Sequence, residues 1–209
     1  MKRHPPSKPR DDQPSGRETV GLRIVGGSLR GRTLAYSGEE RTRPMKDRLR
    51  EAVFNLVGPA VVGMHAIDLF AGTGALGLEA ISRGAVGATL IERHLPTCKL
   101  IEQNAASIGI GELVQVQFGD AFTWGKRNPP QIAERWLVFC SPPYEFYVSR
   151  QEEMLKLIGR LLAAAPEYSV FVVEADERFD FALLPHVSAW DVRTYHPASV
   201  GILAKTEDL

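Results

Sequence analysis

From residue 64 the chain alternates two kinds of run: MHAIDLF, ALGLEAISRG, GATLIE, LPTCKLIEQNAASIG, LVQVQF, WLVFC, RQEEMLKLIGRLLAAA and SVFVVEA. The second, fourth and seventh carry apolar residues at helical spacing; the others are short, apolar and β-prone. Repeated strand–helix units require a largely parallel sheet with helices on both faces. The chain then closes on AWDVRTY and SVGILAK, separated by His196-Pro197. A link that short permits only antiparallel pairing. The expected class is α/β, in one body without internal repeats.

The loops at the strand ends carry the chemistry. Ser141-Pro142-Pro143-Tyr144 closes WLVFC (136–140). Neither proline has an N–H to donate, so the sheet stops there in a rigid, bent loop. It lies at the carboxyl end of its strand, where open α/β sheets bind ligands. A hydroxyl, carbonyls locked by proline and an aromatic ring suit a planar group that carries an amine. Upstream, AIDLFAGTGALGLEA (66–80) runs from a strand into Gly72, Gly74 and Gly77, with Glu92 ending the next strand. Glycines at this spacing let backbone approach a ligand, and the later carboxylate can accept from both ribose hydroxyls. A side chain at Gly74 is accordingly expected to intrude on the cofactor. A nicotinamide cofactor and S-adenosylmethionine share the adenosine that this pattern holds. Three features favour the second. Asp68 lies within the first strand, where it can orient a cationic amino-acid group. Asp120, in GDAF, can meet an adenine amine while Ala121 offers its N–H. Hydride transfer, finally, has no use for the SPPY loop. The combination points to methyl transfer onto an exocyclic amine of a nucleobase.

Charge divides the chain. Residues 1–50 hold 13 Lys/Arg against 6 Asp/Glu, net +7; the remaining residues hold 12 against 19, net −7. A basic arm on an acidic body suits a polyanionic partner. Residues 1–20, rich in Pro, Lys, Arg, Asp and Ser, are read as a disordered tail. LRIVGGSLRGRTLAY (22–36) reads as a hairpin across Gly26-Gly27, and 41–58 as a helix with Pro44 in its first turn and Gly58 at its stop. Leu49, Ala52, Val53 and Leu56 form its apolar stripe, and the other face carries Lys46, Arg48 and Arg50. Two cysteines make no disulfide framework, and five scattered histidines show no metal spacing. No apolar run approaches the ~20 residues of a membrane span, and MKRHPPSKPR lacks the apolar core of a secretory signal. A cytoplasmic protein without metal or membrane partner is expected.

The runs LRIVGGSLRGRTL, TRPMKDRLREAVFNLV, DLFAGTGALGLEAISRGA and VFCSPPY, together with Glu92, Asn104 and Asp120, resemble the RsmD family. These are bacterial S-adenosylmethionine-dependent methyltransferases of guanine N2 in 16S, small-subunit ribosomal RNA. The resemblance covers about residues 22–150 and implies a class I methyltransferase Rossmann-like sheet of seven strands, the last antiparallel, preceded by a hairpin and helix. It implies cofactor contacts at Asp68, Ala71, Gly72, Thr73, Gly74, Glu92, Asp120 and Ala121, and a catalytic loop at Ser141, Pro142, Pro143 and Tyr144. The implied layout is a tail (1–20), an RNA-binding extension (21–60) and a methyltransferase domain (61–209), acting as a monomer on ribosomal RNA, free or in the small subunit. The family usually has Asp where this chain has Ser141. A hydroxyl accepts from the target NH₂ more weakly than a carboxylate, since a charged acceptor makes about twice as strong a bond, and it cannot keep the departing proton. Tyr144 is expected to stack on an extruded base; the nearby Phe146 and Tyr147 could serve instead, though such residues more often pack, and Cys98 reads as a small core residue. Arg30, Arg32, Arg43, Lys46, Arg48 and Arg50 are candidates to grip phosphates beside the loop. Alternatives are an adenine-N6 methyltransferase on DNA or RNA, an RNA-binding relative weakened at Ser141, and a nicotinamide oxidoreductase.

Overall fold

A computed structural model describes residues 21–36, 38, 45–127 and 131–207; the expected tail and Arg43 lie outside them. Seven strands form one sheet: β1 (His65–Asp68), β2 (Gly87–Glu92), β3 (Val114–Phe118), β4 (Trp136–Cys140), β5 (Val170–Asp176), β6 (Asp191–Tyr195) and β7 (Ala198–Ala204). Their order is β3-β2-β1-β4-β5-β7-β6. The pairings from β3 through β5 are parallel, and β7 runs antiparallel to both β5 and β6. This is the expected seven-stranded, Rossmann-like sheet with its antiparallel last strand.

Both faces are covered. Helices α1 (Asp47–Val57), α2 (Ala75–Ser82) and α3 (Leu95–Ser107) pack on one; α4 (Ala121–Trp124), α5 (Phe146–Ser149) and α6 (Gln151–Ala164) pack on the other. Successive side chains of a strand point to opposite faces. In β4, accordingly, Leu137 and Phe139 join the first core, and Trp136, Val138 and Cys140 the second. Doubly covered strands need apolar residues at every position, which is why WLVFC shows no alternation. The outer strand β6 is mostly exposed and polar.

Every residue of α2 is buried, Glu79 and Ser82 included, because residues 22–34 lie over it. This extension is a minimal hairpin. A single antiparallel bridge joins Arg23 to Thr33, with Ile24 N donating to Arg32 O at 3.0 Å and Leu34 N to Leu22 O at 2.7 Å. The reversal falls over residues 27–31, later than the Gly26-Gly27 pair. Gly27, with φ +76°, instead meets α2, where a Cβ would lie 2.0 Å from Ser82 O. Only a glycine permits that approach.

Helix α1 starts at Asp47, later than expected, and ends at Gly58 with φ +59°. Its buried stripe is Arg50, Val53, Phe54 and Val57, with Leu49, Ala52 and Leu56 partly exposed. The helix is thus turned by about one residue from the expected phase. The cause is Arg50, which is fully buried. It donates to Glu79 Oε2 at 3.2 Å, to Asp47 Oδ1 at 2.9 Å and to the carbonyls of Arg23 and Met45. The expectation that Arg50 faces RNA is therefore corrected: it is an internal clamp.

Candidate active site

Five parallel strands end along one edge, and the polar residues singled out in the sequence collect there. The chain leaves β1 at Asp68 and turns through Ala71, Gly72, Thr73 and Gly74 into α2. Asp68 is 1% exposed, and although the Phe70 and Gly77 amides approach its carboxylate, no hydrogen bond of full geometry reaches either oxygen among the described residues. Burial pushes its carboxyl up to about 7, against the pull of the Phe70 and Gly77 amides and helped by the negative charges of Glu92 and Glu174. A buried carboxylate without a partner is costly. A cation placed against it would relieve that cost, and the ammonium of a bound amino-acid group is one.

Glu92, at the end of β2, accepts from Gly72 N at 2.9 Å and from His94 N at 2.8 Å, one bond on each oxygen. It ties the β1 turn to the end of β2 and keeps a second lone pair on each oxygen for ligand hydroxyls. Asp120 caps α4, its Oδ1 accepting from Thr123 N at 2.9 Å, while Oδ2 lies 3.7 Å from Arg150 Nη1. Ala121 beside it is buried. The Arg150 guanidinium sits 3.7 Å above the Phe122 ring, which packs with Phe70 and Phe146. Sequence reading missed this cation-capped aromatic wall.

One glycine expectation is corrected. Gly74 has φ +77°, and a Cβ there would meet Ile101 Cγ2 at 2.8 Å and Leu90 Cδ2 at 3.2 Å. A Cβ on Gly77 would likewise meet Leu90 at 3.0 Å. Both glycines let α2 press on β2 and α3, so side-chain bulk at Gly74 would enter the core and not the crevice.

After β4 the loop turns at once, with Phe146 N donating to Pro143 O at 2.8 Å. Pro142 is buried, Pro143 exposed, and Ser141 and Tyr144 are half-buried. Among described backbone N–H groups none donates to the Pro142 carbonyl. The Ser141 hydroxyl oxygen is itself buried and without a partner of hydrogen-bonding geometry. The Tyr144 hydroxyl donates to Glu174 Oε1 at 2.6 Å, which fixes the ring at the mouth of the loop. Tyr147 is buried against Cys140 and Phe179, and Phe146 belongs to the aromatic wall, so both are packing residues. Burial pushes the Cys140 thiol up to about 12, which leaves no thiolate there.

Glu174 is a further residue the sequence reading passed over. It ends the apolar stretch of β5, 7% exposed, with its carboxyl raised by burial. An acid at a strand's carboxyl end was the signal that singled out Glu92 and Asp120; applied to SVFVVEA, it also selects Glu174.

The basic residues divide. Lys46 and Arg48 are exposed near the start of α1, and Arg30 and Arg32 are exposed on the hairpin turn. That turn packs on Ser82, the last residue of α2. A crossover helix that starts at the carboxyl edge finishes at the amino edge, so Arg30 and Arg32 lie across the sheet from the SPPY loop rather than beside it.

Asn104 acquires a structural role. From α3 its side chain donates to Ala35 O at 2.9 Å and accepts from Ala35 N at 2.8 Å, pinning the extension. Among the described residues no group of His, Cys, Asp and Glu is arranged to hold a metal, and no helix is long and apolar enough to cross a membrane.

The model of the family described as conserved hypothetical protein 95 matches residues 22–198. The chain is 38% identical over 123 residues to "Ribosomal RNA small subunit methyltransferase D" of Escherichia coli (strain K12). That match takes in 59% of this chain and 60% of the relative, so it spans less than two thirds of that protein's length. It is 31% identical over 189 residues to "Putative rRNA methyltransferase YlbH" of Bacillus subtilis (strain 168), covering 88% of this chain and 91% of that one. Among solved structures, the putative methyltransferase yhhF of Escherichia coli superposes with a TM-score of 0.73 at 28% identity, covering 89% of this chain and 98% of the other.

Proposed function

Because the chain belongs to the conserved hypothetical protein 95 family, the RsmD family, we propose that it is an S-adenosylmethionine-dependent methyltransferase of ribosomal RNA, acting on guanine N2 in the small subunit. One observation carries the reading. Two buried oxygen groups at the ends of neighbouring strands, the Asp68 carboxylate and the Ser141 hydroxyl, lack a partner of full hydrogen-bonding geometry at the edge where such sheets bind ligands. One suits a cation and the other an amine.

When bound, S-adenosylmethionine supplies an electrophilic methyl group on a positively charged sulfur. Asp68 would hold the ammonium of its amino-acid part, Glu92 the ribose hydroxyls, and Asp120 with the Ala121 N–H the adenine. Gly72 and Thr73, half-buried in the turn, would line the crevice with backbone, and Ala71 and Gly74 would set its shape from beneath. The SPPY loop would act on the base. Ser141 Oγ and the Pro142 carbonyl would each accept one hydrogen of the target amine, turning its lone pair toward the methyl group. Tyr144, held by Glu174, would stack on the base once it has left its neighbours. A single base–aromatic stack returns ~1–3 kcal/mol, of the order of the extrusion cost.

The test is methyl transfer from labelled S-adenosylmethionine to small-subunit ribosomal RNA, naked or as particles, with the product nucleoside identified by mass spectrometry. N2-methylguanine is expected; N6-methyladenine would redirect the reading, and no transfer to either substrate would end it. Ser141→Ala and Tyr144→Ala should lower turnover with little change in cofactor affinity. One lost hydrogen bond of about 1–1.5 kcal/mol corresponds to roughly tenfold in rate. Unchanged turnover in Ser141→Ala would leave the Pro142 carbonyl as sole acceptor.

A further inference from the structure

The methyltransferase reading leaves one deficit. An amine that gains a methyl group must lose a proton: the N–C bond forms, the C–S bond breaks, its electron pair stays on sulfur, and the nitrogen sheds one hydrogen as H⁺. A serine hydroxyl has no charge with which to keep that proton. The neighbouring strand has one. Cys140 of β4 pairs in register with Val173 of β5, so the next residues are Ser141 and Glu174, side by side at the rim. Glu174 is 7% exposed and accepts from Tyr144 Oη at 2.6 Å. The Ser141 hydroxyl also draws on this carboxylate, although its Oγ completes no hydrogen bond within the protein. No described lysine or arginine forms an ion pair with Glu174.

We propose that Glu174 is the proton acceptor of the SPPY loop, receiving through the Ser141 hydroxyl the proton that the methylated amine sheds and supplying the negative charge that the loop's first position lacks. This rests on the methyltransferase reading. The hydroxyl accepts N–H from the amine while donating O–H to the carboxylate, and passing both protons one step along leaves neutral N-methylamine, neutral serine and a protonated Glu174. Glu174 touches no reacting atom, so it is a positioning residue. Its surroundings favour the task. Burial raises its proton affinity above that of an ordinary glutamate, and the hydroxyls of Tyr144 and Ser141 moderate the rise. The other titratable groups facing it are Asp68 on β1, whose carboxyl the charge of Glu174 helps to raise, and Tyr147 on α5.

Two readouts test this. The first is carbon NMR of the protein with labelled glutamate side chains, without cofactor or RNA. Glu174, assigned by its loss in Glu174→Gln, should titrate above ordinary glutamates, and higher still in Tyr144→Phe and Ser141→Ala, each of which removes a donor that favours the charged form. Titration at the ordinary value, unmoved in both variants, would overturn the proposal. The second is single-turnover methylation against pH at saturating cofactor. Wild type should lose rate as Glu174 protonates, and the acid limb should move to higher pH in Tyr144→Phe. Glu174→Gln should lose about a hundredfold at the plateau together with the limb, and Ser141→Asp placed in that variant should restore much of the rate. S-adenosylhomocysteine binding shows which variants are folded, and if Glu174→Gln is not, the limb in Tyr144→Phe decides, an unmoved limb counting against the role. A Glu174→Gln protein that methylates as wild type does overturns this role alone; a wild-type protein that leaves RNA unmethylated overturns the methyltransferase reading and the role with it.

Discussion

Asp68 binds its proton more tightly in the folded protein than in the unfolded chain, at about 7 against an ordinary 3.8. Between those values the folded state holds a proton the unfolded state has released, so stability falls as pH rises and the loss is complete above the folded value. A shift of this size corresponds to about 4 kcal/mol at most. Asp68→Asn should therefore stabilise the ligand-free protein at neutral and alkaline pH by about 2–4 kcal/mol, with the gain vanishing in acid, as read by urea unfolding at several pH values. The same variant should bind S-adenosylmethionine poorly, and wild-type affinity should climb as pH rises through the Asp68 value; an Asn variant that binds as well as wild type would remove Asp68 from the site. The placement of Asp68 and Ser141 at strand ends was legible in the sequence because a strand followed by glycines or prolines announces where the strand must end. Glu174 was not, because its partner Ser141 lies on a different strand and adjacency between strands is set by sheet order. Gly74 was misread for a related reason: spacing identifies a glycine but not the side from which its neighbours approach.

Helix α1 shows where periodicity stops being informative. Its apolar positions predict a helix correctly, yet the phase is decided by Arg50, which turns inward to meet Glu79 of α2. Removing one partner of a buried ion pair leaves an uncompensated charge and costs about 3–5 kcal/mol. Glu79→Ala should therefore destabilise by that much in denaturant unfolding, and also release the Val25 N–H that Glu79 Oε2 accepts at 2.9 Å. The double variant Arg50→Met/Glu79→Leu should recover most of the loss. A destabilisation of Glu79→Ala below about 1 kcal/mol would place the pair among weak surface bridges. Glu79 sits within ALGLEAIS, where a charge looks like the exposed position of an amphipathic helix. Nothing local shows that a second layer of chain covers it, and Asn104 was opaque for the same reason.

At the scale of the molecule the charge asymmetry remains, but not as one patch. Arg30 and Arg32 ride on the turn at the amino edge. Helix α1 runs toward the start of β1, so Lys46 and Arg48 occupy its end farther from that edge. Each phosphate neutralised on single-stranded RNA contributes ~0.7 to the slope of log affinity against log salt. Lys46→Ala/Arg48→Ala should flatten that slope more than Arg30→Ala/Arg32→Ala, both leaving cofactor affinity unchanged; equal slopes in wild type and both variants would make these cations a solvated surface. The anchoring of the extension also bears on how the protein is made. Residues 22–36 are synthesised before the residues that receive them: Glu79 and Ser82 come more than fifty positions later, and Asn104 lies 69 beyond Ala35. The segment thus leaves the ribosome well before its seat exists. Until α3 has emerged, the groups that Glu79, Ser82 and Asn104 will engage, on Val25, Leu29 and Ala35, must stay hydrated, open to whatever else will bind them.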